Sequence, residues 1–103
     1  MPETPIPCGL RPMHPGELLR EDVLPAIGRP MVEIAKLLKV SRQTLYAIVR
    51  EEAPITPAMA LRLGKLCGNG PDLWINLQAR HDLDRLSREM TSELAEIPTL
   101  HAA

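Results

Sequence analysis

The sequence predicts an all-α chain, with five helices packed as one small domain and the last helix running on as an extension. Three observations predict it. The 103 residues contain no Phe, and Trp74 and Tyr46 are the only aromatics, so the core must be built from Leu, Ile, Val, Met and Ala. No run alternates β-branched and polar residues as a half-buried strand would. Apolar residues instead recur at spacings of three and four between stops made of proline, Ser/Thr and glycine. A chain of this length suits one domain with a modest core that needs no staples.

The elements follow in order. Residues 1–13 carry Pro2, Pro5, Pro7 and Pro12, a density that blocks regular structure and predicts a flexible arm. Helix one begins at Pro15, with Glu17 in its first turn on the favourable side of the dipole. Leu18, Leu19 and Val23 form its apolar face, and Pro25 is expected to stop it. His14 has no second catalytic group beside it, so a capping or surface role is expected. Helix two starts after Gly28-Arg29, with Pro30 at its first position. Ile34, Ala35, Leu37 and Leu38 supply its apolar side.

A tight turn at Lys39 and Val40 leads to Ser41, an N-cap that starts helix three at Arg42. That helix is expected to reach about Glu51, with Leu45, Ile48 and Val49 on its apolar side. Thr56 caps helix four and Pro57 takes its first position, with Ala60, Leu61, Leu63 and Leu66 facing inward. Gly68-Asn69-Gly70 ends it, since Gly and Asn tolerate the positive φ of a helix C-terminus. Helix five opens at Pro71-Asp72. Trp74 and Leu77 are expected on the core, and Ile75 either there or at an interface.

Beyond Gln78 one apolar stripe continues through Leu83, Leu86, Met90, Leu94 and Ile97. A helix of that length outruns the small core, so its far half must lie against a second copy or another protein. Two-fold dimers are the commonest assembly, which favours a homodimer. The chain thus divides into an arm (1–13), a helical domain (14–82), an assembly segment (83–97) and a frayed tail (98–103).

The net charge of −1 and a pI near 6.3 do not announce a nucleic-acid binder. The charge is segregated, however. From Lys36 to Arg50 there are four basic residues, Lys36, Lys39, Arg42 and Arg50, and no acidic one. Arg42 and Gln43 fall in the first turn of helix three. Arg and Gln are the side chains that read guanine and adenine edges bidentately in the major groove. Thr44 and the helix start marked by Ser41 suit phosphate oxygens, and Tyr46 follows. A helix–turn–helix carrying Lys36, Lys39, Ser41, Arg42, Gln43, Thr44, Tyr46 and Arg50 on one side points to double-stranded DNA.

Other functions find less support. Glu51 and Glu52 would repel a phosphate, and with Pro30 and Met31 they motivate an alternative, a protein-binding module with weakened DNA contact. Cys8 and Cys67 form no C-x-x-C pair and have no His at ligand spacing, so no metal and no disulfide is expected. His14, His81 and His101 are far apart and lack a nucleophile motif or carboxylate pair, so neither an enzyme nor a cofactor is expected. There is no membrane-length apolar run and no signal-peptide core, and a cytoplasmic location is expected.

Several fragments carry a family resemblance. Ala35 stands where helix–turn–helix repressors of the lambda-repressor (XRE) class place a small residue, and VSRQTL from Val40 looks like the start of their recognition helix. HPGELL at His14–Leu19, ITPAMALRLGK at Ile55–Lys65 and PDLWINLQ at Pro71–Gln78 complete the set. Together, from about His14 to about Leu83, the chain resembles the HigA-type antitoxins, the VapI group. The resemblance implies a five-helix lambda-repressor-like domain in which HPGE is a structural signature. It also implies a palindromic operator, repression of the protein's own operon, and neutralisation of a RelE/HigB-like endoribonuclease toxin. A free-standing XRE-type regulator without a toxin would carry the same residues. Pro30 and Met31 depart from the family's capping Ser/Thr and following Gln, and Lys39 and Glu51-Glu52 from its usual turns.

Overall fold

The structure is a computed structural model that describes residues 12–101. The expected arm therefore lies almost wholly outside the described residues, as do Cys8 and the last two residues of the tail. All regular structure among the described residues is helical.

Helix α1 is a continuous helical stretch of three pieces: Pro15–Leu18, a π-helical turn Leu19–Val23, and Leu24–Ile27. His14 caps it, its Nδ1 accepting from the Gly16 N–H at 2.9 Å. Pro25 does not stop this helix, contrary to the sequence-based expectation. The Leu24 N–H reaches back five residues to the Leu19 carbonyl. The widened turn makes room for a proline ring that lacks an N–H and would otherwise strike the preceding turn. Gly28, at φ 69°, ends the helix in the left-handed region. Gly16 is required by a close approach, because a Cβ there would run into the Ile48 carbonyl oxygen. The HPGE signature thus lets α1 lie directly on the backbone of the third helix.

Helix α2 spans Met31–Leu38 and begins one residue later than expected, because Pro30 is extended (ψ 148°) and stands before it. No side chain caps this start. Ile34, Ala35 and Leu38 are buried, but Leu37 is exposed, since it falls outside the arc that those three define. Helix α3 spans Arg42–Val49, two residues shorter than expected. Helix α4 spans Pro57–Cys67 behind its Thr56 cap, whose hydroxyl accepts from the Met59 N–H at 3.2 Å. Ala60 and Leu63 face inward as expected and Leu66 is half-buried, whereas Leu61 is exposed on the opposite side of the helix.

Helix α5 spans Asp72–Glu89. Trp74 is fully buried at the centre of the core with Leu19, Ile34, Leu45, Ile48 and Leu63. Gln78 is buried and satisfied, accepting from the Ile55 N–H at 2.8 Å and donating to Asp82 at 3.0 Å. Ile75 and Leu77 are half-buried. The expected single long helix is broken at Met90, where φ −100° and ψ 15° leave the helical well, and a short α6 follows at Thr91–Glu96. The Thr91 hydroxyl donates to the Ser87 and Arg88 carbonyls at 3.1 and 3.0 Å. Such back-bonding competes with the helix ladder and bends it. Cys67 is half-buried and free, and burial pushes its thiol pKa up.

Candidate nucleic-acid interface

The interface is built on α2, the turn after it, and α3. Both helices end in the same way. The Val40 and Lys39 N–H groups donate to the Ala35 and Lys36 carbonyls at 3.0 and 3.1 Å. The Glu52 and Glu51 N–H groups donate to the Ala47 and Ile48 carbonyls at 2.8 and 2.9 Å. Each is a Schellman closure, which needs a left-handed residue. Lys39 (φ 60°) and Glu51 (φ 64°) supply it without being glycine.

Ser41 caps α3, its Oγ accepting from the Thr44 N–H at 3.1 Å. The Ser41 and Thr44 hydroxyls lie 2.8 Å apart. One donates to the other, which leaves a single hydroxyl proton free for an outside acceptor. Leu45 and Ile48 anchor the helix in the core. Lys36, Lys39, Ser41, Arg42, Gln43, Thr44, Tyr46 and Arg50 are all exposed on α2, α3 and the adjoining turns. The Arg50 guanidinium lies 5.5 Å from the Tyr46 ring centre, a cation–π contact, and Arg50 pairs loosely with Glu52 at 3.9 Å. Lys36, Lys39 and Arg42 have no carboxylate partner among the described residues.

Two arginines fix this unit and were missed by sequence reasoning. The Arg62 Nη1 donates to the Leu38 carbonyl at 2.8 Å and more weakly to that of Lys39 at 3.5 Å, tying α4 to the turn before α3. The Arg20 Nη1 donates to the Val49 carbonyl at 2.7 Å, tying α1 to the end of α3. Glu51, expected as a charge facing phosphate, is instead paired with Arg20 at 3.2 Å. Glu52 remains exposed. A groove of about 490 Å³ runs between α3 and α4, with Gln43, Thr44 and Ala47 on one wall and Thr56, Ala58 and Arg62 on the other. Gln43 and Thr44 on one wall and the Thr56 cap on the other were expected from the sequence, but their meeting across a groove depends on the tertiary fold.

Behind the interface, His14 is buried and packs edge-on against His81, with ring centres 5.0 Å apart. Burial and the neighbouring His81 hold its pKa below the ordinary 6.5, partly opposed by Glu51 and Asp82. Among the described residues no group of three His, Cys, Asp or Glu is placed to hold a metal ion. Among the described residues no helix is long and apolar enough to cross a membrane.

No family profile matches the chain. Virulence-associated protein I of Dichelobacter nodosus is 38% identical over 96 residues, covering 90% of this chain and 89% of that protein. The structure of Pseudomonas aeruginosa antitoxin HigA with the higBA promoter superposes with a TM-score of 0.80 at 36% identity, covering 88% of this chain and all of that one. Antitoxin GraA in complex with its operator superposes with a TM-score of 0.81 at 35% identity, covering 91% of this chain and 96% of that one.

Proposed function

The chain belongs to the HigA-type, VapI-group family of helix–turn–helix proteins, and from that premise we propose that it is a DNA-binding antitoxin. It represses its own operon and neutralises a RelE/HigB-like endoribonuclease toxin. The observation that carries the DNA reading is the start of α3. Arg42 and Gln43 stand exposed at a capped helix N-terminus, beside Lys36 and Lys39, which meet no carboxylate among the described residues. Arg42 and Gln43 read base edges. Lys36, Lys39, Arg50 and the free hydroxyl proton of the Ser41–Thr44 pair take phosphates. Tyr46 supports Arg50 from below. The protein works in the cytoplasm.

Residues 14–82 form the DNA-binding unit and residues 83–97 the assembly segment. Leu83, Leu86, Leu94 and Ile97 are exposed and Met90 is half-buried. Pairing this stripe across a two-fold axis makes a homodimer that presents two recognition helices about 34 Å apart, to the halves of a palindromic operator. Leu86→Asp with Met90→Asp should give a folded monomer, and an unchanged mass by light scattering removes the stripe from the interface. The pairing of Glu51 with Arg20 takes away one motive for a protein-binding module that has lost DNA.

The deciding experiment is a mobility shift on the DNA upstream of the protein's own gene, over a range of salt. Specific binding whose logarithm falls linearly with the logarithm of salt concentration supports the reading. Absence of specific binding at low salt overturns it. Co-purification with the product of the adjacent gene tests the toxin.

A further inference from the structure

Two surfaces of opposite charge stand unpartnered among the described residues. The first is a groove of about 520 Å³ between α2 and α4. Leu37, Leu61 and Leu66 line it, and Lys39, Arg62 and Lys65 rim it. Leu37 is 49% exposed and Leu61 61% exposed, although each lies on a helix whose other face is fully buried. Lys65 meets no carboxylate among the described residues and, unlike Lys39, has no part in the DNA reading. The second is the segment from Thr91 to His101, which is exposed at every residue. Leu94, Ile97 and Leu100 there are 46%, 63% and 85% exposed. The segment contains Glu93 and Glu96 and no Lys or Arg, and neither carboxylate meets a cation among the described residues.

Each surface has what the other lacks. Leu94 on α6 and Ile97 at its C-cap lie three residues apart, about one helical turn, with Glu93 and Glu96 each one position before them. An apolar ridge edged with carboxylates matches an apolar floor edged with cations. Duplex DNA would satisfy the cations but gain nothing from a floor of leucines. A helix as short as α6 is not stable alone and needs a surface to lie on.

We propose that residues 91–101 of one copy dock in the basic-rimmed groove between α2 and α4 of a second copy, the contact being exchanged across the dimer axis. This rests on the homodimer reading and deepens it: Leu83, Leu86 and Met90 pair across the axis, while Leu94 and Ile97, the far end of the same stripe, lie in the partner's groove. Two-fold symmetry makes every Lys65–Glu96 interaction occur twice.

The test is sedimentation of the full chain and of its Lys65→Glu, Glu96→Lys and doubly reversed variants, with Lys65→Gln and Glu96→Gln as milder versions. All positions are exposed, and circular dichroism checks that each variant is folded. Each single reversal should raise the dimer dissociation constant about tenfold, since two modest surface pairs are lost and repulsion replaces them. The double reversal should restore the parent value. Carbodiimide should link Lys65 to Glu96 between chains of different isotope label. A parent that stays monomeric at all concentrations overturns the homodimer reading and this proposal with it. A dimer indifferent to both reversals overturns the docking alone. A Lys65–Glu96 link confined to single chains means that the segment folds onto its own groove, and also overturns it.

Discussion

Arg20 and Glu51, 31 residues apart, are joined by two hydrogen bonds of 3.2 Å from the guanidinium to Glu51 Oε2, while the same Arg20 Nη1 holds the Val49 carbonyl at 2.7 Å. The first helix therefore grips the recognition helix at its C-terminal end. Arg62 grips the turn at the other end. Arg20 is committed to the Val49 carbonyl and to Glu51, whereas Arg62 commits only its Nη1 to the turn. The pair offsets the charge of one acidic side chain at the end of α3 and makes it part of the clamp.

Arg20→Met should therefore weaken operator binding severalfold while leaving base preference unchanged, and should lower the melting temperature. Arg20→Lys should restore only part of the loss, because an ammonium cannot fork between a carbonyl and a carboxylate. Fluorescence anisotropy with the operator and with single-base variants measures both quantities. Parent-like affinity from a folded Arg20→Met protein would show that the clamp does not set the recognition helix.

Much of this was legible beforehand because it rests on local chemistry. Ser41 and Thr56 cap where their hydroxyls can reach a free N–H, and Gly68 ends α4 at φ 75°. The exposed row from Lys36 to Arg50 follows from helical spacing alone. What was not legible depends on neighbours. Pro25 passes through a helix because a π turn absorbs it, and a proline in sequence carries no mark of that. Leu37 and Leu61 read as core residues because periodicity of three and four tolerates an extra apolar residue at the edge of the arc. The clamp joins Arg20 to a carbonyl 29 residues away, a distance at which sequence pattern carries no information. The break at Met90 follows from the Thr91 hydroxyl competing for carbonyls.

Lys39 separates stability from binding. Its φ of 60° is strained for a residue with a Cβ, and glycine takes that conformation freely. Lys39→Gly should raise folding stability by up to about 1 kcal/mol. The same change removes a charge beside α3, so operator affinity should fall and the salt slope should decrease by about 1. Urea unfolding and salt-dependent anisotropy on the same sample should move in opposite directions. A loss of stability would mean that Lys39 contributes more through its side chain than its backbone strain costs.

His14 sets a pH dependence. Its Nδ1 accepts the Gly16 N–H, so the capping form is the neutral one. Burial and then His81 lower its pKa from 6.5, with Glu51 and Asp82 pulling the other way. Between the folded value and 6.5 the unfolded chain binds more protons than the folded one. Stability from this site is therefore complete above 6.5 and is lost as pH falls through 6.5 towards the folded value. Urea midpoints should fall between about pH 7.5 and about pH 5.5, and His14→Asn should flatten that part of the profile because an amide caps without titrating. A profile identical in the variant would assign the dependence to other groups.

In the proposed reading Arg42 and Gln43 read the bases, and the prediction for them differs in kind from that for Arg20. Both side chains are exposed and neither supports the core, so Arg42→Ala and Gln43→Ala should fold with the parent's stability. Each should lose about 1–3 kcal/mol of operator binding and relax preference at one base pair per half-site. The loss should be concentrated on the matched operator and nearly absent on mismatched DNA, whereas removing Lys36 should weaken both alike. Competition binding against a panel of single-base operator variants distinguishes the two patterns. If Arg42→Ala and Gln43→Ala both discriminate among the variants as the parent does, the bases are read elsewhere, with the walls of the α3–α4 groove the nearest alternative.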